Sequence, residues 1–260
     1  MLKTSRLAAA ILVICASPVF AGKLAAAGSE RIDQPFGTFK FLAPKNAIWD
    51  QWQRVKAEIA TEMPRLARCQ VQPVQCNAAE RRFAAVITEA EARYGIDKIE
   101  LVNHRINAEI RYVPDEVQWG VGDRWSAPVD ANNLGSFDTG KGDCEDYAIS
   151  KYFALRAAGI SAQDLRVVLG HDLAIRLDHA VLAVRHDKRW LILDNRSDAL
   201  FEDTEIKQFK PLLVVDESGV ALLAEPFRLK DRIVPSSGQH ADQNRERMET
   251  SQRRPPTAFR

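Results

Sequence analysis

Thr139-Gly-Lys-Gly-Asp-Cys-Glu-Asp-Tyr147 is the stretch on which both fold and chemistry turn. Gly140 and Gly142 free the backbone, Asp143 is a good N-cap, and Tyr147-Ala-Ile-Ser-Lys-Tyr-Phe-Ala-Leu155 carries apolar residues at helical spacing. Cys144 is therefore expected in the first turn of a helix, where free N–H groups and the positive end of the dipole favour a thiolate over a thiol. The same donors could receive an oxyanion forming nearby. Asp143, Glu145 and Asp146 flank the sulfur; alone they would raise its pKa, so the pattern asks for a counter-charge. Ca2+ would supply one, since carboxylate oxygens are its preferred ligands. The same residues also describe a small buried Cys under an acidic helix start, because free Cys is among the most buried residue types. The remainder of the chain has to separate these readings.

A length of 260 residues suits one domain of moderate size, with or without tails. The net charge of +1 and the 46% hydrophobic content describe an ordinary soluble globule, with no basic bias toward nucleic acid. Lys3 and Arg6 precede the apolar run Leu7–Ala16, and Val19-Phe20-Ala21 offers a small-residue cleavage site, so residues 1–21 are expected to be a secretory signal peptide. No other run approaches the roughly 18 apolar residues of a spanning helix. The exported chain then keeps Cys69, Cys76 and Cys144. Cys69-Gln-Val-Gln-Pro-Val-Gln-Cys76 is a short polar loop closed by two Cys, which in an oxidising compartment reads as a disulfide. Cys144 is left over as a candidate nucleophile, with a bridge from it to either other Cys still open.

Residues 22–45 look irregular around Pro35, Gly37 and Pro44, with Phe36, Phe39 and Phe41 available to tuck against the body. Asn46 caps a helix with Ile48, Trp49, Trp52, Val55 and Ile59 on one face, and Pro64 is expected to end or kink it. Asn77 caps a second helix running to about Tyr94, and Asp97 opens a third with Ile99, Val102, Ile106 and Ile110 inward. Asn103 and Asn107 share a face of that helix and read as a polar edge bonded to a neighbouring loop. Residues 113–141 form a long loop whose tryptophans argue for packing, hence the wall of a cleft beside Cys144. After Gly159 the period changes: 165–170, 179–185, 189–194, 212–215 and 220–224 are strands, with His186-Asp-Lys-Arg189 turning one hairpin. After Pro235 the chain is polar and basic and reads as a disordered tail, 235–260. Helices followed by a central helix and an antiparallel β-sheet make an α+β domain.

A thiolate nucleophile needs a nearby imidazole, and the imidazole needs a group to fix its tautomer. Of five His, His179 stands at the start of an apolar strand whose hairpin partner ends at Asp194. In an antiparallel hairpin those two ends are neighbours. The other reading is a buried His satisfied by a strand carbonyl.

The order Cys, His, Asp, the segment Gly142-Asp-Cys-Glu-Asp-Tyr-Ala148 with Lys151-Tyr152, the Asp178-His-Ala-Val181 strand and Leu193-Asp-Asn195 resemble the bacterial transglutaminase-like cysteine proteinases. The Trp49 and Trp52 helix, the Asn103, Asn107, Tyr112 run and Asp123-Arg-Trp125 fit the same family, over roughly residues 40–225. The resemblance implies a papain/transglutaminase-like cysteine protease fold over residues 22–234, with Cys144 as nucleophile, His179 as base and Asp194 as orienter. It implies Ca2+ held by Asp143 and Glu145, with Asp146 a further ligand and Asp123 completing the shell, Asn132 and Asn133 being rivals for that last place. It also implies a periplasmic endopeptidase that cuts a large surface adhesin near its N-terminus, at a paired-alanine site, to control biofilm attachment. Its expected partner is the periplasmic domain of an inner-membrane cyclic-di-GMP receptor, and the indole of Trp125 is one candidate for the second oxyanion donor. Two other classes share these residues: a transglutaminase-type acyl transferase, and a calcium-dependent binding module with an inactive triad.

Overall fold

The computed structural model describes residues 34–43 and 45–225; the expected signal peptide and the expected tail lie outside the described residues. The first described strand, β1 (Phe39–Leu42), precedes three helices: α1 (Ala47–Val71), α2 (Ala78–Glu91) and α3 (Gly95–Glu109). Asn46 caps α1 by accepting the Trp49 N–H at 3.0 Å, and Asn77 with Glu80 forms a reciprocal capping box on α2. The faces turned inward are those the spacing predicts: Trp52, Val55 and Ile59 on α1, Phe83, Val86, Ile87 and Ala90 on α2, and Ile99, Val102 and Ile106 on α3. Pro64 does not end α1, which continues to Val71. Leu66 and Cys69 beyond it are buried, and this packing outweighs the amide donor that proline lacks. Cys69 in the last turn of α1 is bonded to Cys76, as the spacing predicts.

Beyond α3 the long loop is built rather than loose. A two-residue strand β2 (Arg111–Tyr112), the short helices α4 (Asp115–Trp119) and α5 (Ser136–Thr139), and β3 (Lys141–Gly142) occupy it, and β2 pairs with β3 in parallel. The central helix α6 (Cys144–Ala157) follows immediately. Then come β4 (Leu165–Asp172), β5 (Leu177–His186), β6 (Arg189–Asp194), β7 (Ser197–Glu202), β8 (Phe209–Asp216) and β9 (Gly219–Ala224). They join β1 in one antiparallel sheet of order β1-β9-β8-β4-β5-β6-β7. β1 and β7 are the strands that periodicity misses. Both are edges, and the side chains of β7 are half-exposed or exposed, so neither carries a buried apolar run. Phe39 and Phe41 stay exposed on β1 instead of tucking inward, whereas Phe36 packs on Phe209 at 5.2 Å.

The sheet is covered on both faces, which explains the nearly continuous apolar runs of its middle strands. Val167, Leu182, Val184, Leu191 and Leu193 join the helices in the main core, while Val168, Val181, Ala183, Trp190 and Ile192 form a second core on the other side with Phe209 and Val214. α6 lies on β4 and β5 and is itself wrapped by α2 and α3, so most of its side chains are buried. No described helix is long and apolar enough to cross a membrane.

Trp52 is the keystone of the α1 side. It has no exposed surface, its indole N–H donates to the Asp216 carbonyl at 2.9 Å, and its ring meets Tyr152 edge-on at 5.2 Å and stacks on Phe153 at 5.7 Å. Trp52→Ala removes this volume and strands the carbonyl; the expected loss is about 3–5 kcal/mol of unfolding free energy, read as a lowered urea midpoint at unchanged slope.

Candidate active site

Asp143 has extended backbone (φ −106°, ψ −162°) and stands at the N-cap of α6, so Cys144 opens the helix as its first residue. Its carboxylate does not cap the helix, however; it accepts the Asp115 backbone N–H at 3.3 Å. With Cys69 and Cys76 joined, Cys144 is the free cysteine among the described residues, and it is only partly covered. The backbone N–H of Ala180 on β5 is close enough to the sulfur to lower its pKa, against the effect of burial. The first turn of α6 and the His179 end of β5 are thus in contact.

That contact is possible because β5 outruns β6. Residues 177–181 pair with β4 alone, and pairing with β6 begins at Leu182 opposite Leu193. The next residue of β6 is Asp194, and its Oδ1 lies 3.0 Å from His179 Nε2. His179 is 7% exposed, with the Phe209 ring edge-on at 6.4 Å. Burial works to raise the Asp194 carboxyl, but hydrogen bonds from His179 and Arg196 outweigh it and hold the group well below the usual carboxylate range. An ionised Asp194 fixes the imidazole proton on Nε2 and leaves Nδ1 as the basic nitrogen.

Around the sulfur the charge is one-sided. Asp115, Asp143 and Glu145 each present an oxygen within 4.8 Å of the others. Asp115 Oδ1 and Asp143 Oδ1 are buried without a hydrogen-bond partner. Burial raises all three carboxyls, Asp115 to about 6; repulsion from Asp143 adds to it at Asp115 and Glu145, and repulsion from Asp123 adds to it at Asp143. Burial and the neighbouring Glu145, to which Sγ donates at 3.2 Å, also push the Cys144 thiol well above its ordinary range. A hard divalent cation fits this donor set, because anionic oxygens converge and two of them are unsatisfied.

Of the acids the sequence proposes for the metal, Asp143 and Glu145 belong to this group, whereas Asp123 and Asp146 lie outside it. Asp123 accepts from Gln51 Nε2 at 2.7 Å and from the Trp125 indole at 3.1 Å. Asp146 is fully buried and accepts the Ser126 N–H at 2.7 Å, its other oxygen unpartnered. Gly142 makes room for it: a Cβ there would stand 2.7 Å from the Asp146 carboxylate. Asp115 was not legible from spacing. The β2–β3 pairing brings it beside Asp143, and nothing in a Pro-Asp-Glu helix start announces that register. The Trp125 indole is buried and committed to Asp123, so it is not available as an oxyanion donor. The expected polar edge of α3 is present: Asn103 and Asn107 donate to the carbonyls of Ser197, Asp198 and Asp194, clamping the turn after β6.

A sequence profile described as bacterial transglutaminase-like cysteine proteinase matches residues 59–209. No curated protein matches the chain. Among solved structures, Legionella pneumophila LapG is 24% identical at a TM-score of 0.51, with 60% of this chain and 87% of that one covered. A calcium-bound form of Legionella pneumophila LapG is 25% identical at a TM-score of 0.51, covering 70% and 98%. The chain belongs to the bacterial transglutaminase-like cysteine proteinase family and is a cysteine peptidase of that fold.

Asp115 gives a signed test of the acidic group. Its folded pKa, about 6, lies above the unfolded 3.8, so in chelating buffer the stabilising protonation is present at acid pH and is lost as pH rises through that window. Asp115→Asn keeps an oxygen for the Arg124 N–H and removes the charge. The melting temperature of the variant relative to the parent should climb by several degrees between pH 4 and 7; a pH-independent difference would refute the raised carboxyl.

Proposed function

We propose that this peptidase is a periplasmic, calcium-dependent endopeptidase in which Cys144 is the nucleophile, His179 the base and Asp194 the orienting acid. The observation that carries this reading is the 3.0 Å contact of His179 with Asp194, one residue from Ala180, whose N–H acts on the sulfur of a helix-opening cysteine. The Cys144 thiolate, paired with a protonated His179, attacks a peptide carbonyl and displaces its amine. His179 gives its proton to that amine, and water attacks the thioester to release the acid and regenerate the thiol. The Cys144 backbone N–H at the start of α6 is the first oxyanion donor.

Asp143 and Glu145, joined by Asp115, would hold Ca2+; when bound, the ion supplies the positive charge these acids lack. Asp146 and Asp123 brace the loop against α6 and α1. The calcium-bound form of the Legionella protein supports this cofactor. The family resemblance supports the substrate and setting: a large surface adhesin cut near its N-terminus after export through the expected signal peptide, releasing cells from a biofilm. Binding by the periplasmic domain of an inner-membrane cyclic-di-GMP receptor would restrain the enzyme.

The decisive experiment incubates the purified chain in calcium buffer with the N-terminal region of a large surface adhesin that carries a paired-alanine site, and maps new termini by mass spectrometry. Parent protein should cut and Cys144→Ala should not, with both melting alike; cleavage by the variant removes Cys144 from the mechanism, and isopeptide products instead of new termini would make the enzyme an acyl transferase. Calcium dependence has its own readout, alkylation of Cys144 by iodoacetamide at pH 7. Because burial and Glu145 hold the thiol protonated, adding calcium should speed labelling by about tenfold or more over a chelating buffer. Equal rates would take the ion out of the scheme.

A further inference from the structure

Asp194 ends β6, and the chain turns through Asn195 and Arg196 into β7. Arg196 folds back onto the same carboxylate that meets His179. Its backbone N–H donates to Oδ1 at 2.9 Å, its Nε to both oxygens at 3.2 Å, and one terminal nitrogen to Oδ2 at 2.8 Å. The other terminal nitrogen donates to Asp172 Oδ2 at 2.7 Å. Asp172 closes β4, and its Oδ1 accepts the N–H groups of Ala174 and Ile175 at 2.9 and 3.3 Å, ordering the turn that leads into β5. One guanidinium thus ties the end of β6 to the hairpin whose second strand carries His179.

We propose that Arg196 is a positioning residue for the reaction: its fork locks the Asp194 carboxylate against His179 Nε2, latches it to the β4–β5 turn, and shares its charge so that the imidazole does not hold its proton too tightly. The inference rests on the assignment of His179 and Asp194 made above. Both Asp194 oxygens are filled by donors in fixed directions, so rotating the carboxylate away from His179 would break several charge-assisted bonds at once. A bare carboxylate beside an imidazole favours the imidazolium, and a guanidinium on that carboxylate offsets the effect. A base that must pass its proton to a leaving amine needs that moderation. Of the other charged and titratable groups nearby, Lys151 on α6 acts on Asp194 and on Asp198 of β7, Tyr112 on β2 feels both Cys144 and Arg196, and the His171–Asp178 pair sits on the opposite face of β4 and β5 from His179. Among the described residues, His179 and Arg196 alone donate to the Asp194 carboxylate, while Lys151 acts on it through space.

The test follows the ring C–H signals of His179 by NMR against pH in the full chain carrying Cys144→Ala, which separates the imidazole from the thiol. Adding Arg196→Ala should raise the His179 midpoint by about one pH unit, a tenfold gain in proton affinity. Arg196→Lys keeps the charge but cannot fork, and should leave the midpoint within a few tenths of the parent's. In the background that retains Cys144, both variants should lose about ten- to a hundredfold in kcat on the adhesin fragment with KM little changed. Asp172→Asn, which keeps the turn's acceptor and cuts only the latch, should lower kcat by a smaller factor without moving the midpoint. An unmoved midpoint in Arg196→Ala, or a midpoint that moves equally in Arg196→Lys, overturns the proposal. The underlying triad fails separately: cleavage by Cys144→Ala, or a His179 midpoint that does not drop in Asp194→Asn, would dismiss it whatever Arg196 does.

Discussion

Everything chemical in this protein depends on the meeting of the first turn of α6 with the exposed end of β5. The two segments are separated in the chain by β4 and belong to different kinds of structure. Their contact is fixed because α6 is buried against β4 and β5 along its length, while the first five residues of β5 extend beyond the last pair it makes with β6. The missing stretch of β6 is the space in which a helix N-terminus can approach a strand. Had β6 continued, Ala180 would be occupied by a ladder on that side, and the sulfur of Cys144 could not face it.

The same junction concentrates unfavourable charge. Asp115, Asp143, Glu145 and Asp146 are all raised by burial, and the thiol beside them is raised as well. On the His179 side the balance is reversed: Asp194 is held ionised by His179 and Arg196. The site is therefore divided into an acid-rich side that lacks a cation and a side whose carboxylate is fully served. A compact domain keeps so much unsatisfied charge at one place only where the rest of the fold supplies the stability. Here two cores, one on each face of the sheet, do so.

How much of this the sequence revealed follows physical lines. Long amphipathic helices, their asparagine caps, the disulfide and the five middle strands β4, β5, β6, β8 and β9 were legible because each is announced by local periodicity or spacing. The His179–Asp194 contact was legible too, since a short turn puts the ends of a hairpin together. Edge strands β1 and β7 were not, because half-exposed strands carry no apolar signature. Asp115 was missed since a parallel pairing of only two residues brings it to Asp143, and Arg196 because a guanidinium two residues after an acid looks like any surface ion pair. Pro64 misled for a related reason: tertiary packing carried α1 past a residue that in isolation stops helices.

The pairing of β1 with β9 has a kinetic meaning. Residues 39–42 must find residues 221–224, and β8 and β9 lie between that edge and the strands that carry the site. The helical half is rich in neighbouring contacts and can assemble early in folding, whereas the sheet is complete only when its last strand has arrived and the longest loop in the domain has closed. The strand platform behind His179 is therefore closed only when residues 221–224 have met residues 39–42, the last and most distant pairing the sheet requires.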